Sequence, residues 1–479
     1  MSVEDLLYPL LASYIKSPQW VKDSVGRAYS WVPVSMRRGR NYSRFVSEAS
    51  LRNEGEIRQL SSRKLSATLQ WTLESVPAYH QYRHLLNRAD TPIDVLRDLP
   101  LLSKEEIKRD PISFLSTASP SHLRLKTFTG GSIATPMAFY LHKGITRTKE
   151  YGYIANFHLR TGLTENDVVL ALRGRPVPTS KHPGGQLWMY EPIKKELIFS
   201  SDHLEHAYMP EYVKAIRAWK PTYIQAYPST IYPLARWLRD NPAPDVSQRI
   251  KGIMLFSENI LDHHLALLKE TFTCPILQHY GQSERVVMAA SMPDDDRYFF
   301  WPQYGHFELV DAAGDPITQP GMLGEIVGTS FDSQVMPFVR YRTGDMAILG
   351  DKPHPLLPGY PVVERVEGRR QEFIVCHDHR LMSLSSMSVG LANSGALADI
   401  YDMQYEQEKP GHFLVKVVTA KKLSAEASAQ ISQIVKNNTQ GGCSAEVVDV
   451  SEIPRTARGK HPVLVQKLEI SQFLSLSKC

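Results

Sequence analysis

Cysteine is scarce in this chain, with four in 479 residues: Cys274, Cys376, Cys443 and Cys479. None is spaced as C-x-x-C, which argues against a zinc knuckle or a disulfide framework and fits a reducing cytoplasm. Long apolar runs are also missing. Nothing approaches the ~20 residues of a membrane-spanning helix, and the opening Met1-Ser2-Val3-Glu4-Asp5 is acidic where a signal peptide is basic. Charge of one sign is lacking too. Fifty-five Lys+Arg against 50 Asp+Glu leave +5, too little for a nucleic-acid binder but compatible with a local basic site for an anionic small molecule. No Gly-Lys-Ser/Thr closes a phosphate loop of the Walker type, and no G-x-S-x-G elbow marks a serine hydrolase. His377-Asp378-His379 and Asp262-His263-His264 offer metal-binding side chains, but no further ligands at workable spacing.

What remains is the composition of an ordinary globular protein, 42% hydrophobic and 22% charged, long enough for more than one core. The expected fold class is α/β: a large N-terminal domain of mixed sheets and helices over 1–366, and a small mobile α+β domain over 367–479. Residues 1–100 read as mostly helical, with Leu6, Leu7, Leu10 and Leu11, and then Leu60, Leu65, Leu69 and Leu73, at helical spacing. Between them Arg37, Arg38, Arg40 and Arg44 form a basic cluster, read as a solvated face. Val168–Leu172, Tyr223–Ala226, Ile253–Phe256 and Ile276–His279 read as strands. Helical patterns at Tyr212–Trp219, Ile231–Leu238 and Leu261–Phe272 separate them, which implies a largely parallel sheet. Phe307–Val310 and Gly324–Thr329 then read as antiparallel strands.

Six stretches could carry chemistry. In Thr127–Pro136, Gly130 and Gly131 let the backbone approach a ligand, and the hydroxyls of Thr129, Ser132 and Thr135 could surround phosphate oxygens. Ser257-Glu258-Asn259 and His279-Tyr280-Gly281-Gln282-Ser283-Glu284 each follow an apolar strand, at the edge where α/β sheets hold ligands. There Tyr280 offers a flat face for a base and Glu284 a hard oxygen for Mg²⁺. Tyr341-Arg342-Thr343-Gly344-Asp345 reads as a strand broken by a turn at Thr343-Gly344-Asp345, with a carboxylate able to accept two hydrogen bonds. Gly368-Arg369 sits at a change of texture suited to a pivot, and Pro454–Lys460 is a loop ending in a mobile point charge. Singly, each also reads as an ordinary turn or loop.

Together, in this order, the stretches resemble the AMP-forming acyl-adenylating superfamily of acyl-CoA synthetases, luciferases and adenylation domains, in its phenylacetate-CoA ligase/CapK-like branch. Tyr280-Gly281-Gln282-Ser283-Glu284 is similar to that family's Tyr-Gly-x-Thr/Ser-Glu, and Tyr341–Asp345 matches its Tyr-Arg-Thr-Gly-Asp. Gly368-Arg369 resembles the hinge, and Pro454-Arg455-Thr456 to Gly459-Lys460 the lysine loop. The resemblance implies that ATP and Mg²⁺ are used, that a carboxylic acid becomes an acyl-AMP, and that the acyl group passes to a thiol such as CoA or to an amine. It implies that Thr129, Gly130, Gly131 and Ser132 hold the β- and γ-phosphates, that Ser257 and Glu258 border the adenine, and that Tyr280, beside Gly281, stacks on it. Ser283 would approach the α-phosphate, Glu284 the magnesium and Asp345 the ribose hydroxyls. Arg369 would assist near the hinge, and Lys460 would bridge α-phosphate and carboxylate. Tyr227 and His279 are the expected acyl-pocket residues, with Trp188 and Tyr190 nearby if their loop folds inward. Ile133 and Ala134 replace a threonine and a second glycine of the family's phosphate loop, removing one hydroxyl and some backbone freedom. An adenylyl-transferring CapK-like enzyme and a non-catalytic nucleotide-binding homologue are the alternatives.

Overall fold

The computed structural model describes residues 13–14, 17–87, 91–129, 137–173, 177, 185–200, 203–204, 206–258, 260–369, 373–383, 400–419, 422–454, 462–470 and 473. The chain divides into two compact units. The first comprises Met1–Glu165, Glu191–Lys194 and Leu277–Arg365; the second comprises Asn166–Tyr190, Lys195–Ile276 and Val366–Cys479.

The first unit begins with helices whose ends are written in the sequence. Asn53 caps the helix Glu54–Ser75 by accepting from the Glu56 N–H at 3.0 Å, and Glu54 and Glu56 sit in the first turn, where the helix dipole favours acids. The helix stops where Pro77 forces the preceding residue into extended backbone. One face of it, with Ile57, Leu65, Leu69 and Leu73, is buried. Ser103 and Glu106 form a reciprocal capping box on the short helix Lys104–Arg109, as the sequence predicts. The leucine-rich start from Leu6 to Leu11 lies outside the described residues.

The same unit carries antiparallel strands. Gly305–Val310 pairs with Leu323–Ser330, which pairs in turn with Tyr341–Leu349. Ile276–Gly281 pairs with Met288–Met292, which pairs with Asp295–Phe300. Strand Tyr341–Leu349 is the one that matters for the site, and its entry is pinned from both sides. Leu102 donates its N–H to the Arg340 carbonyl and accepts from the Arg342 N–H, each at 2.9 Å. The buried Arg340 guanidinium pairs with Glu308 at 3.0 Å and donates to the Leu99 carbonyl at 2.9 Å.

The expected strand break at Thr343-Gly344-Asp345 is corrected by the structure: the strand runs through to Leu349. The register against the neighbouring strand slips between Glu325 and Val327, and Gly344 takes φ +76°. This is a bulge: between the pairing of Val327 with Arg342 and that of Glu325 with Met346 the strand carries two extra residues, which re-aim side chains without ending the pairing. Turn-favoured residues serve both purposes, which is why composition pointed to a turn.

In the second unit, Val169–Leu172, Glu196–Phe199, Tyr223–Ala226 and Gly252–Phe256 pair in parallel, as the alternating pattern predicts. Strands of this sheet are buried at all or nearly all positions. The helices Met209–Trp219, Pro228–Asp240 and Asp262–Thr271 contribute Tyr212, Ile216, Ile231, Leu234 and Leu268 to the same core. Beyond residue 373, a four-stranded sheet combines Ile400–Lys409, His412–Thr419, Ser444–Asp449 and Leu464–Gln466 with the helix Ala425–Asn438. It has its own hydrophobic cluster, centred on Tyr405, Phe413, Val415, Ile431 and Val435.

Candidate active site

In the first unit the two best-matching motifs meet. The Tyr280 hydroxyl donates to Asp345 Oδ2 at 2.7 Å, and the Tyr341 hydroxyl donates to Glu284 Oε1 at 2.7 Å. Four motif residues, 65 and 57 positions apart in sequence, thus form two crossed tyrosine–carboxylate pairs. Bulge geometry makes this possible. Thr343 Oγ1 accepts from the Asp345 N–H at 3.1 Å and donates to the Ile326 carbonyl at 2.8 Å. Glu325 accepts from the Gly344 N–H at 3.1 Å and pairs with Arg342.

Burial raises the Glu284 carboxyl above its ordinary range, and the Asp345 charge adds to this, against the Tyr341 hydroxyl and Lys104. Burial likewise pushes both tyrosine hydroxyls up, with Asp345 next in effect for Tyr280 and Glu284 for Tyr341. They stay protonated donors at neutral pH. The Tyr280 ring is itself largely buried, 5.7 Å from Phe300. Gly281 and Ser283 are exposed.

His279 alternates with Tyr280 along its strand and faces the other way. Its ring lies 5.5 Å from Phe157, and a Cβ on Gly281 would come within 3.0 Å of it. Burial, helped by His158 and Arg160, lowers its pKa to about 3, so it is neutral at physiological pH. Next along the motif is a residue that motif reading passed over. Both polar atoms of the Gln282 amide are buried and lack a partner among the described residues, although its neighbours are exposed.

The expected phosphate loop joins two antiparallel strands, Arg124–Phe128 and Ala138–His142. Thr129 closes its neck: its N–H donates to the Met137 carbonyl, and its Oγ1 accepts from the Met137 N–H, both at 2.9 Å. Gly130, Gly131 and Ser132 lie outside the described residues, as do Lys460 and the loop leading to it.

In the second unit, Ser257 and Glu258 follow the strand Gly252–Phe256, with Ser257 at φ +63°. Such backbone is costly for a residue with a side chain and clusters at functional sites. Glu258 Oε2 accepts from the Ser229 N–H at 3.0 Å, at the start of the helix Pro228–Asp240. Glu258 Oε1 and Ser229 Oγ are buried without a partner among the described residues. Tyr227, just before this helix, donates its N–H to the Leu172 carbonyl at the end of the neighbouring strand. Trp188 and Tyr190 both meet Trp219. Tyr190 stacks on Trp219 at 4.1 Å and Trp188 meets the same ring edge-on at 6.0 Å, because Trp219 offers them a large apolar face. Gly368, at φ +103°, and the exposed Arg369 end the strand Val362–Arg369.

The residues fit the magnesium that the resemblance implies: Glu284 is a buried carboxylate whose ionisation a nearby cation would favour. Among the described residues no group of three or more His, Cys, Asp or Glu could hold a metal unaided.

No family model matches the chain. It is 21% identical over 328 residues to the protein CapK of Staphylococcus aureus, covering 67% of this chain and 69% of CapK. It is 25% identical over 170 residues to the phenylacetate-coenzyme A ligase of Pseudomonas putida, covering 34% and 37% respectively. In fold it is similar to a 2-hydroxyisobutyryl-CoA ligase in the postadenylation state, with TM-score 0.66 and 16% identity over 94% of this chain and 97% of the other. It is also similar to the acyl acid amido synthetase AtGH3.15, with TM-score 0.54 and 14% identity over 91% and 95%. Fold, sequence relatives and the two crossed motifs agree: the chain has the fold of AMP-forming CoA ligases and acyl acid amido synthetases, and in sequence it is similar to CapK and to phenylacetate-CoA ligase.

Proposed function

We propose that this protein is an AMP-forming ligase. It activates a carboxylic acid with ATP as an acyl-AMP, releases pyrophosphate, and passes the acyl group to a thiol or an amine. The observation that carries this reading is the pair of crossed contacts, Tyr280 to Asp345 and Tyr341 to Glu284, which bring the adenylate-forming motifs into one cluster. Relatives of both acceptor types support the choice of acceptors: a CoA ligase bound to an acyl-AMP, and an amido synthetase.

In the first half-reaction a carboxylate oxygen attacks the α-phosphorus, and the bond to the bridging oxygen of the β-phosphate breaks. Two anions must be brought together, so catalysis is mostly positioning and charge neutralisation. Asp345 takes the ribose hydroxyls, held in aim by Tyr280 and the Thr343 hydroxyl. Ser283, exposed at its turn, approaches the α-phosphate. Glu284 holds Mg²⁺, which when bound neutralises phosphate charge. Lys460 places its ammonium between α-phosphate and carboxylate. Thr129, with Gly130, Gly131 and Ser132, cradles the outer phosphates. Ser257 and Glu258 border the base and Tyr227 the acyl group, while His279, turned to the other side of its strand, packs against Phe157. In the second half-reaction the small C-terminal domain, 367–479, turns about Gly368-Arg369 and withdraws Lys460 so that the acceptor can enter. A cytoplasmic location accords with the use of ATP.

The test is pyrophosphate exchange over a panel of carboxylic acids, repeated with CoA or amines while AMP is measured. Acid-dependent exchange is expected. No exchange with any acid, together with no measurable ATP binding, would sink the proposal.

A further inference from the structure

The helix Gln19–Ser30 in the first unit has two unlike faces. Its inner face carries Lys22, Gly26 and Tyr29, all buried. Gly26 is packed so closely that a Cβ there would come within 2.7 Å of Pro192. On the outer face Trp20 is 71% exposed and Trp31, at the C-cap, 88%. Eleven residues are almost a whole number of helical turns, so the two indoles share a side, about 16 Å apart along the axis. Ser24 and Arg27, both exposed, lie between them on that side. Met36, in the short helix Val34–Arg38 that follows, is 57% exposed. Two indoles on one side of a helix, left in water, are exposed apolar surface of the kind that marks interaction sites.

The charge of this stretch says what covers it. Residues 19–44 hold Lys22, Arg27, Arg37, Arg38, Arg40 and Arg44 against Asp23 alone, a net of +5 from six minus one. The whole chain also carries +5, so its positive excess resides in these 26 residues. Arg37 pairs with Glu165 and Arg44 with Asp332, and Arg38 lies over the Tyr151 ring. Arg27 and Arg40 are exposed.

We propose that this face docks on an anionic lipid bilayer, the enzyme resting on the membrane without crossing it. Tryptophan prefers the headgroup level, where its ring is half in hydrocarbon and its N–H meets water. Arginine beside it reaches lipid phosphate while its stem covers apolar surface. An acidic protein would satisfy the arginines but gives no reason for two aligned indoles.

The test is sedimentation of the full chain with vesicles of phosphatidylglycerol or of phosphatidylcholine, at low and high salt. Binding to the anionic vesicles alone, weakened by salt, is expected. Arg27→Ala with Arg40→Ala should weaken it about 30-fold, the scale of a basic residue near an anionic surface taken twice. Trp20→Ala with Trp31→Ala should reduce it to the phosphatidylcholine level, with circular dichroism and pyrophosphate exchange unchanged. Brominated phosphatidylglycerol should quench the fluorescence of the unmodified protein, a reading that needs no variant. Absence of vesicle binding and quenching overturns the proposal. So does a concentration-dependent dimer, without vesicle binding, that the tryptophan variant abolishes, since the face then belongs to a second copy.

Discussion

Replacing Asp345 perturbs two things that can be measured apart. In the proposed complex its carboxylate accepts from ribose hydroxyls, and hydrogen bonds to a charged group contribute roughly 1.5–3 kcal/mol. Asp345→Ala should therefore weaken AMP and ATP binding about 10- to 150-fold, as read by calorimetric titration. In the free protein the same carboxylate accepts from Tyr280 at 2.7 Å. Tyr280 is only 9% exposed, so leaving its hydroxyl unpaired costs about 1–3 kcal/mol of stability. Asp345→Asn separates the effects, since an amide oxygen still accepts from Tyr280 while the charge is gone. Its unfolding should stay near wild type, and its nucleotide affinity should fall most of the way to the alanine value. Tyr280→Phe combined with Asp345→Ala should be less than additive in stability, because each removes the same contact. Unchanged nucleotide affinity in a folded Asp345→Ala protein would refute the assignment of Asp345 as the ribose clamp.

Three further outcomes follow from particular groups. Burial raises the Glu284 carboxyl above its ordinary 4.5, so the folded state holds its proton longer than the unfolded chain does. Its contribution to stability is present below about 4.5 and is lost as pH climbs through the raised value. Glu284→Gln should accordingly raise the melting temperature at neutral pH in the absence of nucleotide while adenylation is lost; a lower melting temperature there would count against the reasoning. Buried Lys149 donates to the Tyr304 and Phe331 carbonyls at 2.6 and 2.8 Å and lies 3.6 Å from Asp332. Lys149→Met should cost about 3 kcal/mol in urea unfolding, the low end for breaking a buried pair because Lys64 still holds Asp332 at 2.8 Å. Burial lowers the Lys149 pKa from 10.5 to about 8. The unfolded chain therefore binds the extra proton between these values, and stability from this group should rise with pH across that window and be flat in the methionine variant. Lys460→Ala should abolish adenylation yet spare acyl transfer from a supplied acyl-adenylate, measured as thioester or amide formed; equal loss of both steps would contradict domain alternation.

Much of this molecule can be read from local pattern. Buried parallel strands such as Tyr223–Ala226 appear as short apolar runs, and the Ser103–Glu106 cap is a sequence signature because every interacting group lies within one helical turn. The six motif stretches, and through them the resemblance to acyl-adenylating enzymes, are likewise legible, since each is a contiguous run. Other features required the assembled chain. Thr343-Gly344-Asp345 has the composition of a turn, and only pairing with Leu323–Ser330 makes it a bulge inside a strand. That Tyr280 serves Asp345 and Tyr341 serves Glu284, rather than the reverse, depends on which side chains the bulge re-aims. The amide of Gln282, buried without a partner among the described residues, and the indoles of Trp20 and Trp31 turned outward on a helix whose other face is buried, are facts of burial. Sequence specifies which groups are present and their local backbone preferences. Burial and long-range hydrogen bonding, set by residues dozens to hundreds of positions away, decide where those groups point and what charge they carry.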